Sequence, residues 1–141
     1  MLSVIIPNWN GVNHLPTCLN SLNNQTIRDF EVIVVDNASM DGSRELIESE
    51  YPMVRVLGLT SNTGFTGACN AGIRIALGNT IALLNNDTEA ADNWLEEIVS
   101  AFERHQDAGI VASRLMLFDR RDLFHAAGDL FRSDGTSANR G

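Results

Sequence analysis

Short apolar runs rich in β-branched residues alternate along the chain with segments of helical period. The runs lie at residues 4–6, 32–35, 54–57, 81–84 and 110–111. Continuous apolar runs of this length, bounded by polar turns, are typical of strands that are covered on both faces. The pattern therefore predicts five buried strands.

Between these runs, apolar residues recur every three or four positions, as they do on one face of a helix. Such patterns cover residues 12–22, 65–76 and 94–102, and residues 41–51 form a shorter helix. Because strands and helices alternate, the economical fold class is α/β, with a mostly parallel sheet flanked by helices and joined by right-handed crossovers.

The pattern weakens after Met116. Residues 119–122 are charged, and residues 133–141 are polar and show no periodicity, so no helix or strand is expected to close the chain. We expect an α/β domain over residues 1–118 and an irregular segment over residues 119–141.

Charge narrows the choice of partners. The 141 residues include 10 basic and 18 acidic side chains, which gives a formal net charge of -8. This is the wrong sign for a protein that tracks phosphate backbones, so nucleic acid is excluded as a partner. A nucleotide diphosphate would also be repelled, and it would need backbone N–H groups or a bound cation at its site.

Cysteine spacing and hydropathy favour a cytoplasmic protein. Cys18 and Cys69 form neither a CxxC motif nor a zinc-ligand spacing, which indicates two reduced, half-buried thiols. The first residues lack the basic start of a signal peptide, and no apolar run approaches the ~18 residues of a spanning helix. We expect neither a signal peptide nor a transmembrane segment.

Polar, turn-forming residues follow the predicted strands. They lie at residues 7–11, 36–43, 61–65 and 85–88. In open α/β sheets, ligands bind beyond the carboxyl ends of the strands. The sequence therefore predicts a binding site at this edge of the sheet.

Two of these residues have both a functional and a structural interpretation. Asp36 directly follows an apolar strand and could accept a hydrogen bond from a ribose hydroxyl or a base N–H, or it could serve as a turn or cap residue. The indole of Trp9 could form the wall of a base pocket, or it could be buried in the core. Both alternatives stay open for each residue.

Asp87 is the one carboxylate of the segment Asn85, Asn86, Asp87. A hard cation that bridges two phosphates needs oxygen ligands from only one or two protein groups, so Asp87 is a candidate metal ligand. It could instead end a strand ahead of a helix that begins with acidic residues.

Residues 64–72 contain three glycines at the start of a helical pattern. Free N–H groups there could face an anion, or the glycines could allow the helix to pack closely on the sheet. The segment matches neither a Walker loop nor the dinucleotide-binding fingerprint.

Four ordered motifs resemble family-2 glycosyltransferases of the GT-A fold, a Rossmann-like fold of nucleotide-diphospho-sugar transferases. They are SVIIPNWNG at residues 3–11, VVDNASMDGS at 34–43, NTGF at 62–65 with NAG at 70–72, and LNNDT at 84–88. The likeness is strongest to the bacterial rhamnosyltransferase-like branch. Residues 124–128 (FHAAG) and 140–141 (RG) resemble that branch's segment leading to the acceptor side.

The resemblance implies a role for each matching residue. Asp36 would bind the base or ribose, Asn86 would lie near the ribose, and Asp87 would bind Mg²⁺ or Mn²⁺ on the diphosphate. The other residues implied to contact the nucleotide sugar are Pro7, Asn8, Trp9, Asn10, Asn62, Gly64 and Asn70. The implied reaction is an inverting displacement by an acceptor hydroxyl, with the metal stabilising the leaving nucleoside diphosphate.

Three departures from the family pattern shape the expectation. Asn85 replaces the first acid of the DxD-type motif, Cys69 replaces an arginine of many relatives, and the acidic segment that supplies the general base would lie beyond residue 141. We therefore expect a fold truncated before the acceptor-binding part, which binds the donor but shows little transfer activity.

The expected donor is a UDP- or dTDP-linked sugar, and the expected acceptor is a glycan or a lipid-linked saccharide in polysaccharide or cell-surface glycan synthesis. The inner face of the membrane is a possible location, and a homo-oligomer is a possible assembly. The alternative from another functional class is a non-catalytic nucleotide-binding or interaction module.

Overall fold

The computed structural model describes residues 1–126, 129–131, 133–134 and 136–139. Eight elements alternate first: β1 (Leu2–Asn8), α1 (Leu15–Asn23), β2 (Phe30–Asp36), α2 (Ser43–Glu50), β3 (Arg55–Gly58), α3 (Gly64–Ile75), β4 (Thr80–Leu83) and α4 (Trp94–Arg104). Four short strands follow: β5 (Leu115–Met116), β6 (Phe124–Ala126), β7 (Asp129–Phe131) and β8 (Ser137–Asn139).

The first four strands form one parallel sheet in the order β3-β2-β1-β4. The chain moves outward from β1 to β2 and β3, and then returns to the other side of β1 for β4. The order of strands therefore reverses between β1 and β4, the type of place where open α/β sheets bind ligands. The predicted α/β class with a mostly parallel sheet is confirmed.

The core lies between this sheet and α3. Ile5, Ile33 and Val35 are fully buried against Ala68 of α3. Gly72 allows the close approach, because a Cβ there would overlap a methyl group of Ile5 and lie 2.9 Å from Cγ2 of Val35. At this glycine, the close-packing interpretation of residues 64–72 is correct.

The outer strands are less covered than the pattern predicted. β1 and β2 are largely buried, whereas β3 and β4 are only partly so, and Leu83 is 49% exposed. Among the described residues, β3 and β4 each pair with a strand on one side only. The expectation of cover on both faces is therefore wrong for these two strands.

The fifth predicted strand, at residues 110–111, is also wrong. These residues lie outside any strand, and Ile110 is 89% exposed. Conversely, the expectation that no helix or strand closes the chain is wrong, because β6 pairs antiparallel with β5, and β7 with β8. Strands of two or three residues are too short to produce a period that a sequence pattern can distinguish.

Residues Met1–Glu97 form one compact unit, and residues Ile98–Gly141 form a second. The predicted boundary after residue 118 stays a prediction. Residues 127, 128, 140 and 141, which carry part of the acceptor-side resemblance, lie outside the described residues.

Cys18 and Cys69 are both free and buried, rather than half-buried as expected. None of the described helices combines the length and the hydropathy that crossing a bilayer requires.

Candidate functional site

Three polar side chains are linked across the carboxyl edge of the sheet. The side-chain amide of Asn86 donates to Oδ1 of Asn8 at 2.7 Å, and Nδ2 of Asn8 donates to Oδ1 of Asp36 at 3.3 Å. Asn8 ends β1, Asp36 ends β2, and the two are direct partners in the sheet register. This Asn86–Asn8–Asp36 chain spans the point where the strand order reverses.

The carboxylate of Asp36 is buried but can still accept further hydrogen bonds. Asp36 is 4% exposed, and within the described residues its carboxylate accepts two long hydrogen bonds, from Asn8 Nδ2 and from the backbone N–H of Ser39, each at 3.3 Å. An ionised carboxylate has about four acceptor positions. A buried carboxylate with so few donors is well suited to accept hydrogen bonds from a ligand.

Pro7 is tolerated in a central strand because of where it lies. Residues of a strand direct their backbone groups to alternate sides, and the carbonyl of Ile5 accepts from the N–H of Leu84 on the β4 side. Pro7 faces that same side, beyond Leu83, where β4 ends. Because Pro7 has no N–H to donate, the ladder cannot continue past Leu84, and β1 is unpaired beside the end of β4.

Gly11 makes room for the link between β1 and β4. A Cβ at this buried glycine would overlap both Oδ1 of Asn8 and Nδ2 of Asn86. Any other residue would therefore push apart the two amides that are hydrogen-bonded there.

The loops that follow β1 and β2 are joined by reciprocal hydrogen bonds. The N–H of Asn10 donates to Oγ of Ser39, and the N–H of Met40 donates back to Oδ1 of Asn10, both at 2.9 Å. The N–H of Val12 donates to Oδ2 of Asp41, also at 2.9 Å. The two loops are thereby held together above the strand ends.

Two non-glycine residues in these loops adopt left-handed backbone conformations. Asn10 has φ 51° and Ala38 has φ 63°. Asparagine tolerates this region, but alanine gains nothing from its side chain there, and such positions cost about 1–3 kcal/mol each. The neighbouring hydrogen bonds of Ser39 hold Ala38 in this conformation.

Asn37 fixes the loop that precedes α3. It is 4% exposed, its Oδ1 accepts from the N–H of Thr63 at 2.8 Å, and its Nδ2 donates to Oδ1 of Asn62 at 3.0 Å. Oδ1 of Asn62 also accepts from the N–H of Gly64 at 2.8 Å. The backbone donor of Gly64 is therefore already engaged, and the free N–H groups of the first turn belong to later residues.

Asp87 and Asn85 are exposed directly beside Asn86. Among the described residues, no three His, Cys, Asp or Glu side chains are arranged to hold a metal ion. Of the described residues at this edge, Asp87 can offer a cation its carboxylate and Asn85 a neutral amide oxygen, and groups of a bound ligand or water could complete the coordination. Mg²⁺ and Mn²⁺ tolerate such incomplete protein sites when they bridge phosphates.

The remaining predicted residues differ in their setting. Trp9 is 58% exposed, which contradicts the core-indole interpretation and leaves its ring at the mouth of the site. Asn70 is exposed on the second turn of α3, and no described hydrogen bond joins it to the Asn86–Asn8–Asp36 chain. The predicted residues that hydrogen bonds bring into the linked strand ends are Asn8, Asn10, Asp36, Asn62, Gly64 and Asn86.

Sequence reasoning missed Asn37, Ser39 and Gly11 as site residues. All three lie within the segments that resemble the family, and Asn37 directly follows a strand-end carboxylate. A polar side chain that follows a buried strand is a usable signal for Asn37, whereas Gly11 depends on contacts with distant residues that no local pattern reveals.

Comparison with known proteins identifies the family. A model described as glycosyl transferase family 2 matches residues 3–138. An uncharacterized glycosyltransferase of Nostoc is 34% identical over 114 residues, which are 78% of this chain and 35% of that protein. Glycosyltransferase GlyG of Streptococcus pneumoniae is 28% identical over 137 residues, 93% of this chain and 45% of GlyG. The chain thus spans less than half the length of these relatives.

Solved structures of glycosyltransferases also match this chain. S. aureus TarS in complex with UDP matches with a TM-score of 0.69 at 23% identity, over 85% of this chain and 43% of TarS 1-349. The mannosyltransferase PcManGT from Pyrobaculum calidifontis, in complex with GDP-Man and Mn²⁺, matches with a TM-score of 0.65 at 25% identity, over 82% of this chain and 34% of PcManGT. The chain therefore belongs to glycosyl transferase family 2 and has its GT-A fold.

Proposed function

We propose that this chain is the donor-binding part of an inverting glycosyltransferase, which binds a nucleoside-diphosphate sugar together with a divalent metal ion. One observation carries the proposal. The buried carboxylate of Asp36 and the exposed carboxylate of Asp87 lie at the same edge of the sheet, joined through Asn8 and Asn86. Such a pair of groups fits the two ends of an extended nucleotide diphosphate.

Asp36 would bind the nucleoside end. Its two long hydrogen bonds leave acceptor positions for a base N–H or a ribose hydroxyl. Trp9 and Pro7 would flank the base, and Asn86 would lie near the ribose. Asn10, Asn62, Gly64 and Asn70 complete the proposed contacts with the nucleotide sugar.

Asp87 would hold Mg²⁺ or Mn²⁺, with Asn85 as a neutral neighbour. The negative net charge of the chain makes a bound cation valuable at a diphosphate site. When bound, the ion neutralises charge that develops on the leaving diphosphate. PcManGT binds Mn²⁺, which supports a divalent metal in this fold.

The proposed donor is a UDP- or dTDP-linked sugar, since TarS binds UDP and UDP-GlcNAc and the motifs resemble the rhamnosyltransferase-like branch. The proposed acceptor is a glycan or lipid-linked saccharide, in the cytoplasm or at the inner face of the membrane. One relative, AmsB of Erwinia amylovora, is an amylovoran biosynthesis glycosyltransferase, which supports a role in polysaccharide synthesis. Self-association remains part of the proposal.

The test is a titration with UDP and dTDP, with and without Mn²⁺, followed by tryptophan emission. We expect metal-dependent binding that Asp87→Asn abolishes and that Asp92→Asn, a nearby exposed control with the same charge change, retains. If the wild type binds neither nucleotide under any metal condition, the donor-site proposal is wrong and the non-catalytic interaction module takes its place.

A further inference from the structure

The guanidinium of Arg44 lies over Gly58, the residue that pairs with Asp36 in the sheet. Arg44 is in the first turn of α2, and Gly58 ends β3 in direct register with Asp36. A Cβ built on Gly58 would lie 2.7 Å from Nη1 of Arg44, so the guanidinium occupies the space that a side chain at position 58 would fill. Register partners point to the same face of a sheet and lie about 4.8 Å apart. The cation is therefore one strand away from the Asp36 carboxylate.

Arg44 has donors left for a ligand. Its Nε donates to Oε1 of Glu48 at 2.8 Å, one turn along α2, and this pair orients the side chain. Among the described residues, no acceptor is hydrogen-bonded to its two Nη groups. The hydrogen bond and charge of Glu48, and more weakly the charge of Asp36, raise the pKa of Arg44.

Arg44 is also distinguished by its position. Residues 1–97 are all described, and Arg44 is the only one of their arginines at the carboxyl edge of the sheet. The others lie towards the amino edge, before β2, at the start of β3 and at the end of α3: Arg28, Arg55 and Arg74. Among the arginines of residues 1–97, Arg44 alone is therefore placed at the edge of the sheet where a ligand is proposed to bind.

We propose that Arg44 is a specificity-determining residue that recognises the nucleobase together with Asp36. Asp36 accepts a hydrogen bond from a ring N–H, and Arg44 donates to the adjacent carbonyl oxygen. Uracil and thymine present such a pair at their imide edge, and guanine presents it as a ring N–H next to one carbonyl. Cytosine presents a ring nitrogen that accepts, and this atom is repelled by the Asp36 carboxylate. The inference rests on the proposed donor site and adds a second residue, Arg44, through which the site would select the base.

The experiment compares UDP with CDP, which differ at this edge and share ring size, ribose and diphosphate. We expect the wild type to bind UDP at least about tenfold more tightly. Arg44→Gln should weaken UDP binding about fivefold, a modest factor because the side chain is 54% exposed, and should leave CDP binding nearly unchanged. Arg74→Gln, with the same charge change at the far edge, should keep the wild-type preference.

A second variant separates recognition from net charge. Gly58→Ala keeps Arg44 but fills the space over β3, and the neighbour that must move is the end of a flexible side chain, so the fold is retained. We expect it to lower the preference for UDP as well, and melting temperatures confirm folding of each variant.

Two results would overturn the inference. An unchanged UDP-to-CDP ratio in Arg44→Gln, with the wild type binding both nucleotides, rejects the role of Arg44 while the donor site stands. Absence of nucleotide binding by the wild type rejects the donor site and this role with it.

Discussion

Asn86 donates its side-chain amide to Oδ1 of Asn8 at 2.7 Å, and this bond joins the loop that follows β4 to the end of β1 through two residues that are 78 positions apart in sequence. Nδ2 of Asn8 in turn donates hydrogen bonds to Oδ1 of Asp36 and to Oγ of Ser39. The strand ends of β1, β2 and β4 are therefore linked by side chains, beyond the hydrogen bonds of the sheet. Three predictions about stability and one about reactivity follow from the contacts at this edge, at the opposite edge of the sheet and in the core.

Asn8→Ala should destabilise the fold more than Asn86→Ala. Asn8 is 1% exposed and makes three side-chain hydrogen bonds, whereas Asn86 is partly exposed and contributes one of them. We expect the free energy of unfolding to fall by about 2–3 kcal/mol for Asn8→Ala and by about 1 kcal/mol for Asn86→Ala. Urea denaturation of both variants measures the difference, and equal losses would show that Asn8 does not anchor the edge.

Gly72→Val should destabilise the packing of α3 on the sheet. The added atoms would meet methyl groups of Ile5 and Val35 in the buried core, and overpacking of this kind costs about 1–3 kcal/mol. Gly109→Val is the matched control, because nothing lies within 4 Å of a Cβ at that position. Thermal melts should show a lower Tm for the first variant only. A similar drop in both would point to a general cost of losing glycine.

Glu31 should make stability depend on pH. Burial raises the pKa of this carboxyl, but hydrogen bonds from Ser3 and from the N–H of Leu77, together with the charge of Arg55, outweigh it and hold the pKa below its ordinary value. A lowered pKa means that the stabilisation is present above about pH 4.3, the ordinary glutamate value, and is lost as the pH falls through the folded-state pKa.

The measurement compares the wild type with Glu31→Gln by chemical denaturation from pH 7 to pH 3. We expect the wild type to be more stable by about 1 kcal/mol at pH 7 and the gap to close on acidification. Other carboxylates titrate in both proteins and cancel in the difference. If the difference in free energy of unfolding stayed constant with pH, the charge of Glu31 would not be its cause, and altered packing or hydrogen bonding would explain it.

Both thiols should resist modification in the folded protein. Burial, with a smaller effect of the Asp87 charge, raises the pKa of Cys18 to about 12, and burial also raises the pKa of Cys69. At pH 8 the thiolate fraction of Cys18 is then on the order of 10⁻⁴. A colorimetric disulfide reagent should label almost no thiol in the native state and two in denaturant. Rapid native labelling would reveal opening of α1 or α3.

Much of the fold was predictable because its signals are local. The apolar runs of β1 and β2 and the helical periods of α1 to α4 each lie within one segment of sequence. The location of the site was predictable for the same reason, since polar residues follow each parallel strand. The short strands β5 to β8 were missed because two or three residues cannot display a period.

The interior of the site was less predictable because it depends on register. The bond between Asn8 and Asp36 requires those two residues to be neighbours across the sheet, and neither segment alone fixes that pairing. The position of Arg44 over Gly58 likewise requires α2 and β3 to be placed together. Such contacts belong to tertiary structure, and a single sequence gives them no periodic signature.

The left-handed Ala38 also affects how the protein can be varied. Glycine would adopt the backbone conformation of Ala38 more easily. Alanine, however, has fewer conformations open to it than glycine in the unfolded chain. A glycine there would relieve the folded state but would also widen the range of shapes open to the loop before a ligand arrives. Alanine therefore accepts backbone strain in the folded protein. In return, the loop has lost more of its conformational entropy before a ligand arrives, and less remains to be lost on binding.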